Sequence, residues 1–306
     1  MSGDVFVLIV NWNGKEDTLD CLRSLEACQE EIGRVLVVDN GSTDGSVEAV
    51  QRHFPEVTLV ENGENLGFGP ANNIGMRLFL REGRYPYLFL LNSDTVVTPG
   101  ALRILVSGLG EEGVGATVPK IYYADGQRLW YAGGRIDWKQ GSAIHFGQGK
   151  KDDGSLNHRR EVNFVTGCAL LLQREVLEKV GLFDERYFMF GEDVDLSIRL
   201  VRAGYRILYL PEATIRHKVG GSVTRKGDDF IYYHMTRNRL LTMTKHATWR
   251  EWLPFVFYFP LLWGWKAIYF LIHGHYRVPG AMVGGARDFL KQRCGASGLD
   301  PAGGTN

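Results

Sequence analysis

Over the first 115 residues, short apolar runs alternate with segments in which apolar residues recur at helical spacing. The apolar runs are rich in β-branched and aliphatic side chains, which is typical of buried strands, and they cover 5–10, 35–38, 57–60 and 87–91. The periodic segments predict helices at about 17–27, 43–54 and 71–80, the second capped by Ser42 or Thr43. Such alternation predicts an α/β fold with a mainly parallel sheet between helices.

Beyond residue 115 the pattern is mixed, and it contains no internal repeat. A Gly-rich stretch at 133–149 precedes a polar stretch at 150–161, which we interpret as a loop. The remaining pattern predicts helices at 174–180 and 194–203 and a strand at 206–210.

The stretch 252–272 is apolar and about long enough to span a bilayer. It contains Pro254, Pro260 and Lys266, which disfavour an uninterrupted span. Its three tryptophans favour the membrane–water interface, and they are Trp252, Trp263 and Trp265. We therefore favour an in-plane or re-entrant anchor over a buried helical hairpin, and we rank a full span last.

The charges are distributed unevenly, although the formal net charge is zero. Residues 1–230 carry 26 basic and 32 acidic side chains, a net of −6, whereas residues 231–306 carry 9 and 3, a net of +6. A basic, aromatic tail on an acidic body indicates contact with a membrane surface, and the zero total argues against a nucleic-acid partner. The cysteines form no metal-binding spacing and the N-terminus shows no basic-then-apolar leader, so we expect a cytosolic chain.

Polar residues follow four predicted strands, at 11–13, 39–42, 65–69 and 92–94. Ligands of open parallel sheets bind beyond the carboxyl ends of the strands, so this edge is the predicted binding site. Asp39 can accept a hydrogen bond from a pyrimidine N–H, and Gly67 permits close approach of the backbone to a ligand. Asp94 follows a buried strand, where it either holds a divalent ion or caps the next helix. No phosphate-binding GxxxxGK[ST] loop is present.

A second acidic group lies at 192–195, where Glu192, Asp193 and Asp195 occupy three of four positions at a predicted helix start. The helix dipole favours carboxylates there, so a solvated first turn is one interpretation. Apolar neighbours indicate burial, which can raise a carboxyl pKa into the range of a general base. His217 follows the next predicted strand.

Five segments together resemble the family-2 glycosyltransferases of GT-A fold, in particular bacterial rhamnosyltransferase-like enzymes of cell-surface polysaccharide assembly. They are VVDNGSTDGS at 37–46, ENLGFGPANNIGM at 64–76, LLNSDT at 90–95, the stretch from TGCALLL to VRAGY at 166–205, and the following PEATIRH. The resemblance runs in order over about 4–240. It implies a nucleotide-sugar site formed by Asn11, Asn13, Asp39, Asn65, Gly67, Asn72, Asn73, Asn92 and Asp94, with Asp39 on the base.

The resemblance also implies a metal and a catalytic base. The family's Asp-x-Asp metal motif corresponds to Asn92-Ser93-Asp94, which lacks the first carboxylate. Asp94 and His217 are therefore the expected ligands of Mg²⁺ or Mn²⁺. The family's Glu-Asp pair corresponds to Glu192-Asp193, which form the expected catalytic pair with Asp193 as the general base. A single displacement would invert the anomeric configuration.

The implied reaction moves a sugar, rhamnose among the candidates, from a dTDP- or UDP-activated donor to a hydroxyl of a glycan or polyprenyl-linked acceptor. We expect a GT-A domain at 1–230, with a nucleotide-binding half to about 115 and an acceptor-binding half from about 116. A helical tail at 231–306 would hold it, as a peripheral or monotopic protein, on the cytoplasmic face of the membrane. Two alternatives remain: a nucleotidyltransferase, for which the loop after the first strand is short, and a catalytically silent scaffold that binds nucleotide sugar.

Overall fold

Strands and helices alternate through the first hundred residues of the computed structural model, which describes residues 3–219 and 227–295. The elements in order are β1 (Val5–Asn11), α1 (Lys15–Leu25), a 3₁₀ turn (Glu26–Cys28), β2 (Ile32–Asp39), α2 (Ser46–His53), β3 (Thr58–Glu61), α3 (Phe68–Glu82) and β4 (Tyr87–Asn92). This half has the predicted order of elements. The start of α2 differs from the prediction, because Gly45 is its N-cap and Ser42 instead accepts hydrogen bonds from the loop after β1.

The second half contains several short strands, the two longest strands and most of the longer helices. Its elements are β5 (Thr95–Val97), α4 (Ala101–Gly108), β6 (Val114–Tyr123), β7 (Leu129–Tyr131), β8 (Gly134–Asp137), β9 (Ser142–His145), β10 (Arg160–Val162), β11 (Ala169–Gln173), α5 (Arg174–Val180), α6 (Glu192–Arg202), β12 (Arg206–His217), α7 (Gly227–His246), α8 (Trp249–Ile272) and α9 (Arg277–Leu290). The strand predicted at 206–210 continues to His217 through an irregularity between Leu210 and Thr214.

Ten strands form one mixed sheet within the described residues, and β8 and β9 form a separate two-stranded sheet. The main order is β10-β12-β6-β11-β4-β1-β2-β3, with β5 on β12 and β7 on β6. The pairings among β3, β2, β1 and β4 are all parallel, as the sequence predicts, whereas β11 runs antiparallel to both β4 and β6. In register, Asn11 pairs with Asp39 and Val10 pairs with Asn92, so the polar strand ends meet at one edge.

The segment predicted as an anchor belongs to α8, a single helix that continues through Pro254 and Pro260 rather than a hairpin. Its inner face packs against α7, where Trp263 Nε1 donates to Thr236 Oγ1 at 2.7 Å. Its outer face is exposed and apolar, with Leu253, Phe257, Leu261, Trp265 and Ile268 each more than half exposed. Within the described ranges, α8 alone is long and apolar enough to cross a bilayer, judged by length and composition.

Asp195 connects α6 to α7 and has no solvent exposure. Its carboxylate contacts Arg199 at 2.8 Å, His246 Nε2 at 2.6 Å, and the ammonium of Lys245. Burial opposes ionisation of Asp195, but the hydrogen bond from His246 and the charges of Arg199 and Lys245 outweigh it and hold its pKa below the usual value. This ion-pair group, rather than a hydrophobic contact alone, fixes α6 on α7.

We expect Asp195→Asn to lower the free energy of unfolding by about 3 kcal/mol, because removing one member of a buried ion-pair group leaves the others uncompensated. Urea titration followed by circular dichroism measures this. Asp125→Asn is the matched control: its partner Arg128 is exposed, so the loss of this ion pair should have a much smaller effect. Equal effects of the two substitutions would contradict the importance of the Asp195 group.

Candidate active site

A cavity of about 400 Å³ lies at the carboxyl edge of the parallel strands. The loops after β1 and β4 form one side of it, and the start of α6 and the end of β12 form the other. Of the predicted site residues, the cavity is lined by Asn13, Asn65, Gly67, Asn92, Asp94, Glu192, Asp193 and His217. The structure thus brings both acidic groups and the histidine to one space.

Asp94 and His217 meet because of strand pairing. Directly after Asp94, β5 pairs antiparallel with the end of β12, and Thr95 is the register partner of His217. His217 Nε2 therefore lies 3.0 Å from Asp94 Oδ1. Since α4 begins at Ala101 with Gly100 as its N-cap, Asp94 is not the cap of the next helix.

His217 is 5% exposed, and its ring stands edge-on to Trp130 with centroids 4.5 Å apart. Its second nitrogen, Nδ1, is buried and has no hydrogen-bond partner among the described residues. A buried polar atom without a partner costs free energy until a ligand or ion satisfies it. The described residues therefore do not satisfy all the polar atoms of His217.

Asp193 lines the cavity in the first turn of α6. Its Oδ1 accepts a hydrogen bond from the Val194 N–H at 2.8 Å, and its Oδ2 accepts a longer one from the Gly167 N–H at 3.4 Å. Burial raises the pKa of the Asp193 carboxyl to about 6, against the opposing effect of these two N–H groups. A carboxyl in this range is ionised at neutral pH and still basic enough to take a proton.

Glu192 has a different environment from its neighbour. It is 5% exposed, and its Oε2 has no hydrogen-bond partner in the described part of the chain. Burial, followed by the negative charge of Asp193, raises the pKa of Glu192 well above its usual range. An ionised Asp193 thus favours the protonated form of Glu192.

The loop before α6 is held from outside the cavity by α7. Phe190 has a φ of 67° and Gly191 a φ of 108°, so two consecutive residues are in the left-handed region. Asn238, on α7, donates from Nδ2 to Met189 O at 2.8 Å and to Phe190 O at 2.6 Å. These bonds offset the cost of the strained backbone and aim the start of α6 at the cavity.

The same loop contacts the glycine-containing loop that precedes α3. Gly67 has a φ of 90°, and a Cβ there would lie 2.4 Å from Phe188 O. The N–H of Phe68 donates to the same Phe188 oxygen at 2.8 Å. Gly67 is thus required both by its backbone conformation and by close approach of the two loops.

Four predicted nucleotide-binding side chains do not line this cavity, namely Asn11, Asp39, Asn72 and Asn73. All four are buried and bonded inside the protein. Asn11 Nδ2 donates to Asp39 Oδ1 at 2.9 Å, and Asn73 Nδ2 donates to Phe183 O at 2.9 Å. The side chains shape the loops around the cavity, and their contact with a nucleotide stays a prediction.

The sequence does not predict three residues that shape this site, two of which line the cavity and one of which lies outside it. Trp130, on β7, and His145, on β9, come from the mixed region of the sequence, where no periodicity marks them. Asn238 lies outside the cavity altogether. A single asparagine on a helix carries no signal of the loop that it supports, so only the tertiary structure reveals this role.

The parallel half of the sheet, the antiparallel strand β11 beside it and the acidic helix start across the cavity belong to a fold that is similar to that of GT-A glycosyltransferases. Residues 3–238 match the sequence profile of the family described as "Glycosyltransferase like family 2". The chain belongs to this family, as its motifs predict.

Two relatives and one solved structure show similarity over most of the chain. N-acetylglucosaminyl-diphospho-decaprenol L-rhamnosyltransferase of Mycobacterium tuberculosis is 29% identical over 249 residues, covering 74% of this chain and 80% of that protein. A dTDP-rhamnosyl transferase of Shigella flexneri is 24% identical over 220 residues, covering 72% and 71%. A mannosyltransferase from Pyrobaculum calidifontis, solved with GDP-Man and Mn²⁺, matches with a TM-score of 0.58 at 17% identity, covering 96% and 88%, and shows the shared fold.

Proposed function

We propose that this glycosyltransferase moves L-rhamnose from dTDP-rhamnose or a UDP-activated equivalent to a hydroxyl of a polyprenyl-linked glycan, with inversion at the anomeric carbon. The observation that carries the proposal is the placement of Asp193 and the Asp94–His217 pair around one cavity. The names of the two bacterial relatives support the sugar and the acceptor class.

In the proposed reaction, Asp193 takes the proton of the acceptor hydroxyl as its oxygen attacks the anomeric carbon. The new carbon–oxygen bond forms while the bond from that carbon to the diphosphate oxygen breaks, so one displacement inverts the configuration. The raised pKa of Asp193 supports this role, because the carboxylate is ready to accept a proton near neutral pH. Protonated Glu192 adds no second negative charge beside it.

The pair formed by Asp94 and His217 would hold a divalent ion, Mg²⁺ or Mn²⁺. Asp94 Oδ1 and His217 Nε2 lie 3.0 Å apart, so both could bind the same ion, with the carboxylate supplying the oxygen ligand that such ions prefer. The described residues offer no cluster of three such ligands. This suits an ion that takes its remaining ligands from the donor diphosphate. Such an ion offsets the charge that develops on the leaving diphosphate.

We also propose that the outer face of α8 lies in the interface of the membrane on its cytoplasmic side. This face is continuous and apolar, and Arg250 and Arg277 lie near its two ends. Lys266 stays paired with Tyr232 Oη at 3.0 Å and does not interrupt the face. An aromatic, apolar surface flanked by basic residues is typical of helices that bind in the plane of a membrane, where a polyprenyl-linked acceptor is also located.

Asp193→Asn should lower kcat by a factor of about 10²–10⁴ and leave donor binding nearly unchanged, because the amide keeps the shape but cannot accept the proton. Glu192→Gln is the matched control: it replaces a protonated acid by a neutral amide, so turnover should persist. Acceptor-dependent release of dTDP measures both. In the wild type, kcat/KM should rise with pH through about 6 as Asp193 ionises. Turnover of the Asp193 variant above a few per cent would exclude Asp193 as the base.

Excess chelator should abolish transfer, and Mg²⁺ or Mn²⁺ should restore it. Asp94→Ala and His217→Ala should each weaken binding of dTDP much more than binding of thymidine, because only the diphosphate would share the ion. Isothermal titration with and without metal measures the difference. Full activity in excess chelator would contradict the proposed metal.

The protein should float with liposomes, and it should bind more strongly when the lipid is anionic. Salt should weaken the additional binding that the anionic lipid provides. Replacing Leu253, Phe257, Leu261 and Trp265 together by serine should release it, since these side chains are exposed and their loss spares the core. Val201→Ser, which removes an exposed apolar side chain on α6 instead, is the control. If the wild-type protein does not bind liposomes, the proposed membrane contact of α8 is wrong. If external protease cleaves a C-terminal tag on sealed right-side-out vesicles, the helix spans the membrane instead.

A further inference from the structure

His145 lies in the wall of the catalytic cavity, at the end of β9. Aromatic rings surround its imidazole: Trp130 at 4.8 Å and Tyr131 at 5.2 Å stand edge-on, and Phe164 lies tilted at 5.4 Å, measured between ring centroids. A ring packed on three sides has one orientation. Its polar atoms are therefore fixed relative to the cavity.

The hydrogen bonds of His145 define which nitrogen carries the proton. Nδ1 lies 3.2 Å from the carbonyl oxygen of Trp130, and a carbonyl can only accept, so Nδ1 is the donor. Burial lowers the pKa of His145 to about 4 and outweighs the opposing effect of the bond to Trp130, while the nearby His217 lowers it by a smaller amount. The ring is therefore neutral at physiological pH, and Nε2 is an acceptor.

Nε2 of His145 has no hydrogen-bond partner in the ranges that the structure describes, and it is not among the fully buried polar atoms there. A fixed, neutral acceptor on a cavity wall is suited to a hydroxyl group, which can donate to it. It does not suit a phosphate oxygen, because at neutral pH both would be acceptors. The chemistry of this position thus favours a sugar over a diphosphate.

The position of His145 indicates which sugar it meets. A single indole, that of Trp130, separates His145 from His217, since both imidazoles contact its ring. If Asp94 and His217 bind the donor diphosphate, the sugar bonded to that diphosphate must lie beside them. We propose that His145 Nε2 accepts a hydrogen bond from a hydroxyl of the donor sugar, which makes it a specificity-determining residue. This inference rests on the proposed function.

Three variants separate the acceptor at Nε2 from the structural bond at Nδ1. His145→Asn keeps a donor near Nδ1 for the Trp130 carbonyl but removes the acceptor. His145→Gln places its side-chain oxygen near Nε2, and His145→Phe keeps the ring and removes both polar atoms. Affinities for dTDP-L-rhamnose and for dTDP, measured by titration calorimetry, give the contribution of the sugar in each protein. Thermal unfolding confirms that each variant is folded.

The wild type should bind dTDP-L-rhamnose more tightly than the Asn and Phe variants by about 5- to 10-fold, the usual effect of one neutral hydrogen bond. Their affinity for dTDP should be unchanged, and the Gln variant should recover most of the loss. Equal losses for dTDP and dTDP-L-rhamnose, rescue by Asn but not by Gln, or no contribution of the sugar in the wild type would each overturn the proposal. Failure of the proposed function is distinguishable, because it would appear as absent transfer by a wild type that still binds the sugar.

Discussion

The carboxylate of Asp195 has no contact with solvent, and the positive charges that compensate it come from α6 itself and from α7. Because Asp195 lies in the first turn of α6, its bonds to Lys245 and His246 also fix Asp193, two residues earlier. Asn238, also on α7, donates hydrogen bonds to the carbonyl oxygens of Met189 and Phe190 in the loop just before α6. The orientation of the proposed base therefore depends on a helix that contributes no side chain to the cavity.

Three neighbouring carboxyl groups have three different states because their surroundings differ. Paired cations hold the pKa of Asp195 below its usual value, and burial without a partner on Oε2 raises the pKa of Glu192 well above its own. Asp193 is intermediate, because backbone N–H groups offset part of the effect of burial on its pKa. Such separation of pKa values is how one acidic cluster yields one base. Asp195 is a poor substitute for Asp193, since its lone pairs are committed to cations and it does not line the cavity.

Much of the parallel half of the fold could be predicted from the sequence, because its signals are local. Each buried strand of the parallel half is a short apolar run, and a polar residue at its end marks the binding edge. Asp94 could be predicted as a site residue for this reason. The 3.0 Å contact between Asp94 and His217 could not, because it arises from the pairing of β5 with an extension of β12 beyond the irregularity at Leu210–Thr214.

The site residues that the sequence does not predict are placed by contacts between segments that are distant along the chain. His145 and Trp130 lie in short strands without periodicity, and Asn238 is a single polar residue in a helix expected only as part of a tail. That tail was predicted to start at 231, yet α7 runs from Gly227 to His246 and carries the bonds that orient α6. The same helix supports the inner face of α8 through Thr236. One helix, α7, therefore connects the exposed apolar surface of α8 to the start of α6, where the proposed base lies.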